Sequence, residues 1–260
     1  MNCKICRHRM DELFRATVLN RHVVTYYRCG QCGFLATEEP YWLAEAYKSP
    51  INPSDTGILQ RNILLCGLTS VLLFSLFPRN AKCVDYGGGY GLMTRMMRDI
   101  GFDFCLYDPH CENLFARGFE YEPETGGADL VTSFEAFEHF VDPAAEIGTM
   151  LSISKNILFT TELLPQPVPR PEEWWYFSLD HGQHVSFYAL ETIERIARDN
   201  RLNLYTDKHG FHFLTEKKLG MGIFQAILAL HKFGFAHVVQ MSMKSRTLED
   251  RDRVISGLAG

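Results

Sequence analysis

The sequence predicts an α/β protein: a doubly wound, mostly parallel sheet preceded by a small metal-binding ribbon. Three observations carry this expectation. Short apolar runs alternate with helical patterns through the middle of the chain, the order that builds a parallel sheet covered by helices on both faces. The run Asp85-Tyr86-Gly87-Gly88-Gly89-Tyr90-Gly91 stands where one such strand stops and a helix begins, and a tight turn lying against a ligand needs positive φ and a missing Cβ. Two Cys-x-x-Cys pairs, Cys3/Cys6 and Cys29/Cys32, open the chain.

Composition narrows the function. With 260 residues, 46% hydrophobic and 22% charged, the chain can form one full α/β domain and an appendage. A formal net charge of −5 argues against a basic nucleic-acid footprint and for a small-molecule partner. The opening Met-Asn-Cys-Lys-Ile-Cys is not a basic stretch followed by an apolar one, so a cytoplasmic location is expected. The longest apolar run, residues 63–77, is interrupted by Gly67, Thr69, Ser70 and Ser75. It is shorter than the roughly 18 residues of a spanning helix, which predicts a buried core helix and no transmembrane span.

Residues 1–40 read as the ribbon. The two cysteine pairs are separated by 22 residues, and four thiolates so arranged suit a structural, tetrahedral Zn²⁺. Residues 18–19 and 23–27 predict a hairpin between the pairs. So small a unit buries little surface, and metal and fold are then one equilibrium. Arg7, Arg9, Arg15, Arg21 and Arg28 are offset by Asp11, Glu12, Glu38 and Glu39, which leaves little basic surface for nucleic acid. Cys66, Cys83, Cys105 and Cys111 lie singly in apolar surroundings and read as buried small side chains.

Residues 41–216 form the second expected domain. Tyr41 to Tyr47 are helical in composition and are followed by Pro50 and Pro53; Ser54, Asp55 and Thr56 offer a cap for a helix over residues 57–77, closed by Pro78. The glycine turn fails the dinucleotide spelling, because the third glycine position falls on Leu92 or Thr94. It fits acidic-x-Gly-x-Gly-x-Gly, with Asp85, Gly87, Gly89 and Gly91. Asp108 ends the next strand 17 residues beyond Gly91, where a carboxylate can accept both hydroxyls of a ribose. A third strand, residues 129–134, runs into Glu135-Ala136-Phe137-Glu138-His139.

These motifs resemble the class I S-adenosylmethionine (SAM) dependent methyltransferases. The resemblance covers roughly residues 45–216 and implies a Rossmann-like, seven-stranded methyltransferase sheet with SAM as cofactor. It implies a cofactor site of Asp85, Tyr86, Gly87, Gly89, Gly91, Asp108, Ser133 and Phe134, with Tyr47, Thr56 or Arg61 within reach of the amino acid end. The chemistry agrees, since SAM carries an ammonium and a sulfonium and a strand-end carboxylate suits a cation.

The acceptor is addressed further on. Pro165, Pro167, Pro169 and Pro171 force an extended excursion, and Trp174, Trp175, Tyr176 and Phe177 follow as faces for a sugar or as a hydrophobic lid. The run Gln183-His184-Val185-Ser186-Phe187-Tyr188 resembles the His-Glu-His-x-Ser-Tyr-Phe segment of zinc-containing nucleotide-sugar C-methyltransferases, which implies His184 as the base. Gln183 and Gly182 stand where that family has glutamate and the first histidine. The expectation is therefore methyl transfer to a hydroxyl of a small molecule, a nucleotide-linked or polysaccharide sugar, with C-methylation or RNA methylation as alternatives. His184, His181 and His139 are the candidate catalytic groups, since an imidazole titrating near neutrality can take the acceptor's proton.

Residues 202–206 and 211–215 predict a closing antiparallel hairpin. Residues 217–260 form a C-terminal extension whose apolar stretch, 220–243, fits a helix on the sheet, a contact in a homo-oligomer or a membrane-surface helix. The last five residues read as a disordered tail.

Overall fold

A computed structural model of the protein describes residues 1–48 and 55–258. Pro50, Pro53 and Ser54, expected to end one helix and cap the next, lie outside the described residues, as do Ala259 and Gly260. In chain order the elements are β1 (Met10–Val18), β2 (His22–Cys29), β3 (Leu35–Thr37), α1 (Leu43–Ala46), α2 (Ile58–Leu76), β4 (Lys82–Tyr86), α3 (Leu92–Ile100), β5 (Asp103–Tyr107), β6 (Leu130–Ser133), α4 (Pro143–Ile153), β7 (Ile157–Thr160), β8 (Ser186–Phe187), α5 (Leu190–Asp199), β9 (Asn203–Thr206), β10 (Phe211–Thr215), α6 (Ile223–Lys232), α7 (Phe235–Ser242) and α8 (Thr247–Leu258). They form two compact units, each assembled from separated stretches of chain.

The first unit draws on the described parts of Met1–Asn52, Phe134–Leu151 and Leu158–Lys217. Its antiparallel sheet has the order β1-β2-β3-β8. The β1–β2 hairpin turns at Leu19 and Asn20, both at positive φ (53° and 57°), the pair of left-handed residues that matches the twist of two antiparallel strands. The β-branched and aromatic run Val23-Val24-Thr25-Tyr26-Tyr27 fills β2 as expected.

Strand β3 does not end the ribbon. Leu35 pairs with Phe187 and Ala36 with Ser186, and Val18, Val24, Tyr26, Leu35 and Trp42 share one core with Leu164, Tyr176, Phe177, Val185 and Phe187. The boundary expected after residue 40 therefore isolates no separate body. A hairpin of this size has too little apolar surface to make a core alone, and it takes its partner surface from residues more than a hundred positions later. The same packing accounts for the aromatic cluster: Tyr176 and Phe177 are buried structural residues, and only Trp175 of that group is widely exposed, at 72%. The first unit also contains β7 beside β10, and β10 pairs antiparallel with β9 from His212↔Thr206 to Thr215↔Asn203, the predicted closing hairpin.

The second unit draws on Pro53–Ser133, Ser152–Ile157 and Lys218–Gly260 in their described parts. Strand β4 lies between β5 and β6, parallel to both. Helix α3 is amphipathic and buries Met93, Thr94, Met97 and Arg98.

Among the described residues six strands, β4 to β7 with β9 and β10, carry the α/β pattern, where seven were expected. The missing one is reduced to a single parallel bridge, Leu106 with Glu120. Gly118 before it has positive φ (84°), and Pro123 after it starts a 3-10 turn, so too few extended residues remain for a strand.

Two further expectations change in this unit. The apolar C-terminal stretch is two helices, α6 and α7, because Gly234 at φ 80° breaks it. The tail is helical through Leu258 rather than disordered. Its anchor is buried: Asp250 on α8 receives Arg98 of α3 in a bidentate pair, Nε to Oδ2 and Nη2 to Oδ1, both 2.7 Å.

Helix α2, with 19 residues and a mean hydropathy of 1.5, is long and apolar enough by length and composition to cross a membrane. It buries Leu65, Cys66 and residues 69–73, while Leu59, Ile63 and Leu64 near its start are exposed. It begins at Gly57 without a side-chain cap, and Asp55 pairs instead with Arg61 at 2.7 Å.

Candidate active site

In the second unit the glycine turn closes over a buried carboxylate. Gly87, Gly89 and Gly91 take positive φ of 71°, 58° and 82°, where L side chains are strained. A Cβ on Gly88 would collide with the Asp85 carboxylate and lie 2.7 Å from Leu106 Cδ1. Asp85 is only 1% exposed. It accepts hydrogen bonds from Thr132 Oγ1 at 2.8 Å and Thr94 Oγ1 at 3.3 Å. Burial lifts its pKa to about 6, with the two threonine hydroxyls opposing. The carboxylate thus underpins the turn from below. Its two threonine partners carry no local motif and become visible only in the fold.

Asp108 holds the same turn from the next strand's end. One oxygen accepts the Gly89 N–H at 2.8 Å, and the other accepts the N–H groups of His110 and Cys111 at 2.8 and 3.0 Å. The acid expected at a ribose also tethers the glycine turn. Tyr86 stacks on Tyr107 with ring centroids 5.1 Å apart. Ser133, at the end of β6, is buried, and its Oγ has no hydrogen-bond partner among the described residues, a cost that a polar ligand would relieve. Space above Gly89 is open, with nothing within 4 Å of an added Cβ. An open glycine backbone, a ribose-type acid and an orphaned hydroxyl together fit an adenosyl amino acid.

The first unit gathers the candidate catalytic histidines. The His139 and His184 rings are 4.9 Å apart and perpendicular, and His181 lies 5.5 Å from His184. His184 Nδ1 is 2.7 Å from the Tyr176 carbonyl. His139 Nδ1 is 3.2 Å from the Gln183 carbonyl and 2.9 Å from the Tyr47 hydroxyl. Burial holds His139 down to about 4, against the raising effect of the Gln183 carbonyl. Burial, reinforced by His139, also holds His184 well below the usual histidine value. Both are therefore neutral imidazoles at pH 7.

Sequence reasoning missed Glu138, a carboxylate 1% exposed beside this pair; its neighbour 46 positions away is not visible in the chain order. It also missed Glu135, whose φ of 52° is unusual for a non-glycine residue. Glu135 is held by Thr160, which accepts its N–H and donates to its Oε1, both at 2.8 Å. Phe134, the last expected cofactor contact, stacks on Phe211 at 6.3 Å. The other seven expected cofactor residues belong to the second unit.

The four ribbon cysteines are buried, with their sulfurs within 4.8 Å of one another. Cys3 and Cys32 approach to 3.6 Å and Cys6 and Cys29 to 3.4 Å, near the separation of thiolates around one tetrahedral zinc. Thr192 Oγ1 secures the knuckle by donating to the Cys32 carbonyl at 2.7 Å.

The family model described as a methyltransferase domain matches residues 59–206. The chain belongs to this family. The methyltransferase is SAM-dependent, in agreement with the cradle described above. Among solved structures it is similar to magnesium protoporphyrin IX methyltransferase from Synechocystis with bound SAH, at 12% identity over 68% of this chain and 96% of that one, with a TM-score of 0.40. It is also similar to an O-methyltransferase family protein from Burkholderia thailandensis, at 18% identity over 69% and 68% of the two chains, with a TM-score of 0.42. No curated protein matches the chain.

The raised Asp85 pKa gives the methyltransferase a signed pH response. A carboxyl whose folded pKa is raised stabilises the fold fully below its unfolded value, and that contribution is lost as pH rises through about 6. Binding of cationic SAM is expected to run the other way, weakening as pH falls through the same value. Calorimetry from pH 5 to 8 is expected to show this weakening, and Asp85→Asn is expected to abolish it while lowering affinity throughout. An unchanged pH profile in the variant would assign the effect elsewhere.

Proposed function

We propose that this methyltransferase O-methylates a sugar, nucleotide-linked or part of a polysaccharide. The observation that carries the reading is the histidine cluster, where His184 keeps its Nδ1 on the Tyr176 carbonyl at 2.7 Å and its Nε2 for the acceptor. When bound, SAM supplies a methyl carbon whose bond to sulfur breaks, the pair returning to sulfur, as the acceptor oxygen attacks. The second unit would hold it: the Gly87-Gly91 turn and Ser133 along its backbone-facing side, Asp108 at the ribose. His184, with His139 and His181 beside it, serves the hydroxyl's proton. Gln183, where the similar C-methyltransferases have glutamate, donates its amide to the Ala46 carbonyl at 2.9 Å. This structural use favours O- over C-methylation.

Cys3, Cys6, Cys29 and Cys32 would hold a structural Zn²⁺, so that residues 1–40 brace the enzyme and have no nucleic-acid role. The protein acts in the cytoplasm. Exposed Met221, Phe233 and Met241 on the C-terminal extension favour a homo-oligomer formed there.

Purified protein with labelled SAM and a panel of nucleotide sugars and oligosaccharides is expected to yield a labelled sugar; no labelled product from any of them would overturn the proposal. His184→Ala is expected to lower kcat at least about tenfold while the Kd for SAM stays unchanged.

A further inference from the structure

We propose that Glu138, His139 and His184 form a second metal site, one for a divalent first-row transition ion. One ligand atom from each lies within 4.8 Å of the other two. All three residues belong to the first unit.

The hydrogen bonds determine which atoms converge. A backbone carbonyl can only accept, so His184 Nδ1, 2.7 Å from the Tyr176 oxygen, carries the ring hydrogen. His139 Nδ1 faces the Gln183 oxygen at 3.2 Å and the Tyr47 hydroxyl at 2.9 Å, and with the ring hydrogen on Nδ1 both oxygens accept from it. Each imidazole then presents a lone pair at Nε2. His139 Nε2 is 4.0 Å from Glu138 Oε1, and the His184 ring stands perpendicular to that of His139 at 4.9 Å. Two nitrogen lone pairs and a carboxylate oxygen are all acceptors, and their convergence around the buried Glu138 carboxylate, with both histidines half-buried, calls for a cation or a proton among them.

The surroundings favour the cation. Metal-ligating histidines characteristically donate their second ring N–H to a carbonyl or carboxylate, which fixes the tautomer and aims the ring; both histidines do so here. Their neutral state is the one that binds metal. Two nitrogens and one oxygen suit Zn²⁺, Fe²⁺ or Mn²⁺ and leave coordination positions open. Ligands about 2.1 Å from an ion sit roughly 3 to 3.5 Å apart, so small side-chain rotations close the set. The four-cysteine cluster differs in kind, with soft thiolates and every position filled.

The ion's role rests on the proposed hydroxyl methylation, although the site itself does not. An ion with open positions binds the acceptor hydroxyl and lowers its pKa, so that the proton passes to water. In the loaded protein His184 Nε2 holds the ion, and the acceptor hydroxyl meets His184 through that ion instead of directly.

Zinc per chain, measured on full-length protein saturated with Zn²⁺ and desalted, tests the site. Wild type is expected to carry one zinc more than Glu138→Gln and one more than His184→Gln, each checked as folded by circular dichroism. Two variants are used because the buried Glu138 can fail to tolerate substitution where the partly exposed His184 does not. Equal zinc content in wild type and a folded variant would overturn the proposal and leave a shared proton as the reason for the cluster. A sugar methylated by wild type that carries no extra zinc after saturation would sink this site and leave the proposed function standing. Extra zinc without methylation of any hydroxyl would do the reverse.

Discussion

Replacing Cys32 with Ser, or removing metal from the cysteine cluster by exhaustive chelation, is expected to unfold the whole first unit. A structural zinc contributes on the order of 10 to 16 kcal/mol, against about 5 to 15 kcal/mol for the total stability of a domain. The loss should not stop at residue 40. Strand β3 pairs with β8, Thr192 holds the Cys32 carbonyl, and Gly33 has so little room that an added Cβ would lie 2.9 Å from Ala189 Cβ. Far-UV circular dichroism and limited proteolysis, recorded with zinc content, would show the loss of the β1-β2-β3-β8 sheet together with the segment carrying His181 and His184. A metal-free protein with its Tm unchanged would remove zinc from the account of this fold.

Asp250→Ala is expected to cost about 3 to 5 kcal/mol, because it strands a buried guanidinium. Arg98 is 2% exposed. Besides Asp250 it donates to Asp103 Oδ1 and the Phe104 carbonyl, both at 2.8 Å, and its guanidinium lies over the Phe119 ring at 3.7 Å. Burial raises the Asp250 carboxyl, but Arg98 and then Arg95 outweigh it and leave the pKa below the ordinary aspartate range. The pair therefore contributes above that range and is lost as pH falls through the lowered pKa. Thermal denaturation at neutral pH should show Tm lower by on the order of 10 °C. The Arg98→Met, Asp250→Leu double variant should recover much of the loss, since apolar replacement of a whole buried pair is often neutral or better. If Asp250→Ala melts with wild type, helix α8 is not anchored by this pair.

The two results bracket what could be read from the chain. Local signals were sufficient for the strand-glycine-helix unit: β4 ends at Tyr86, three turn glycines take positive φ, and α3 begins at Leu92. They were sufficient for the cysteine pairs, whose x-x spacing aims two thiolates at one point, and for the closing hairpin. All of these depend on residues within a few positions of one another. The strands expected to end at Asp85 and Asp108 end within a residue of them, and Asp85 proved to be covered by Thr94 and Thr132.

What depends on distant partners was not legible. Arg98 and Asp250 are 152 positions apart, and neither carries a motif. Glu138 received no role from its place in the chain until folding set it beside His184. The domain boundary failed for the same reason, since nothing local in residues 1–40 says that their core will be completed by Tyr176, Phe177 and Phe187.

The sequence by itself determined the methyl donor, because the motif that points to it is one continuous turn in which Gly87, Gly89 and Gly91 take positive φ. Tertiary structure alone decided the histidine tautomers and the company of Glu138, because those depend on which carbonyls face the two rings. A hydrogen bond's direction is a property of the folded neighbourhood, and no spacing in the chain encodes it.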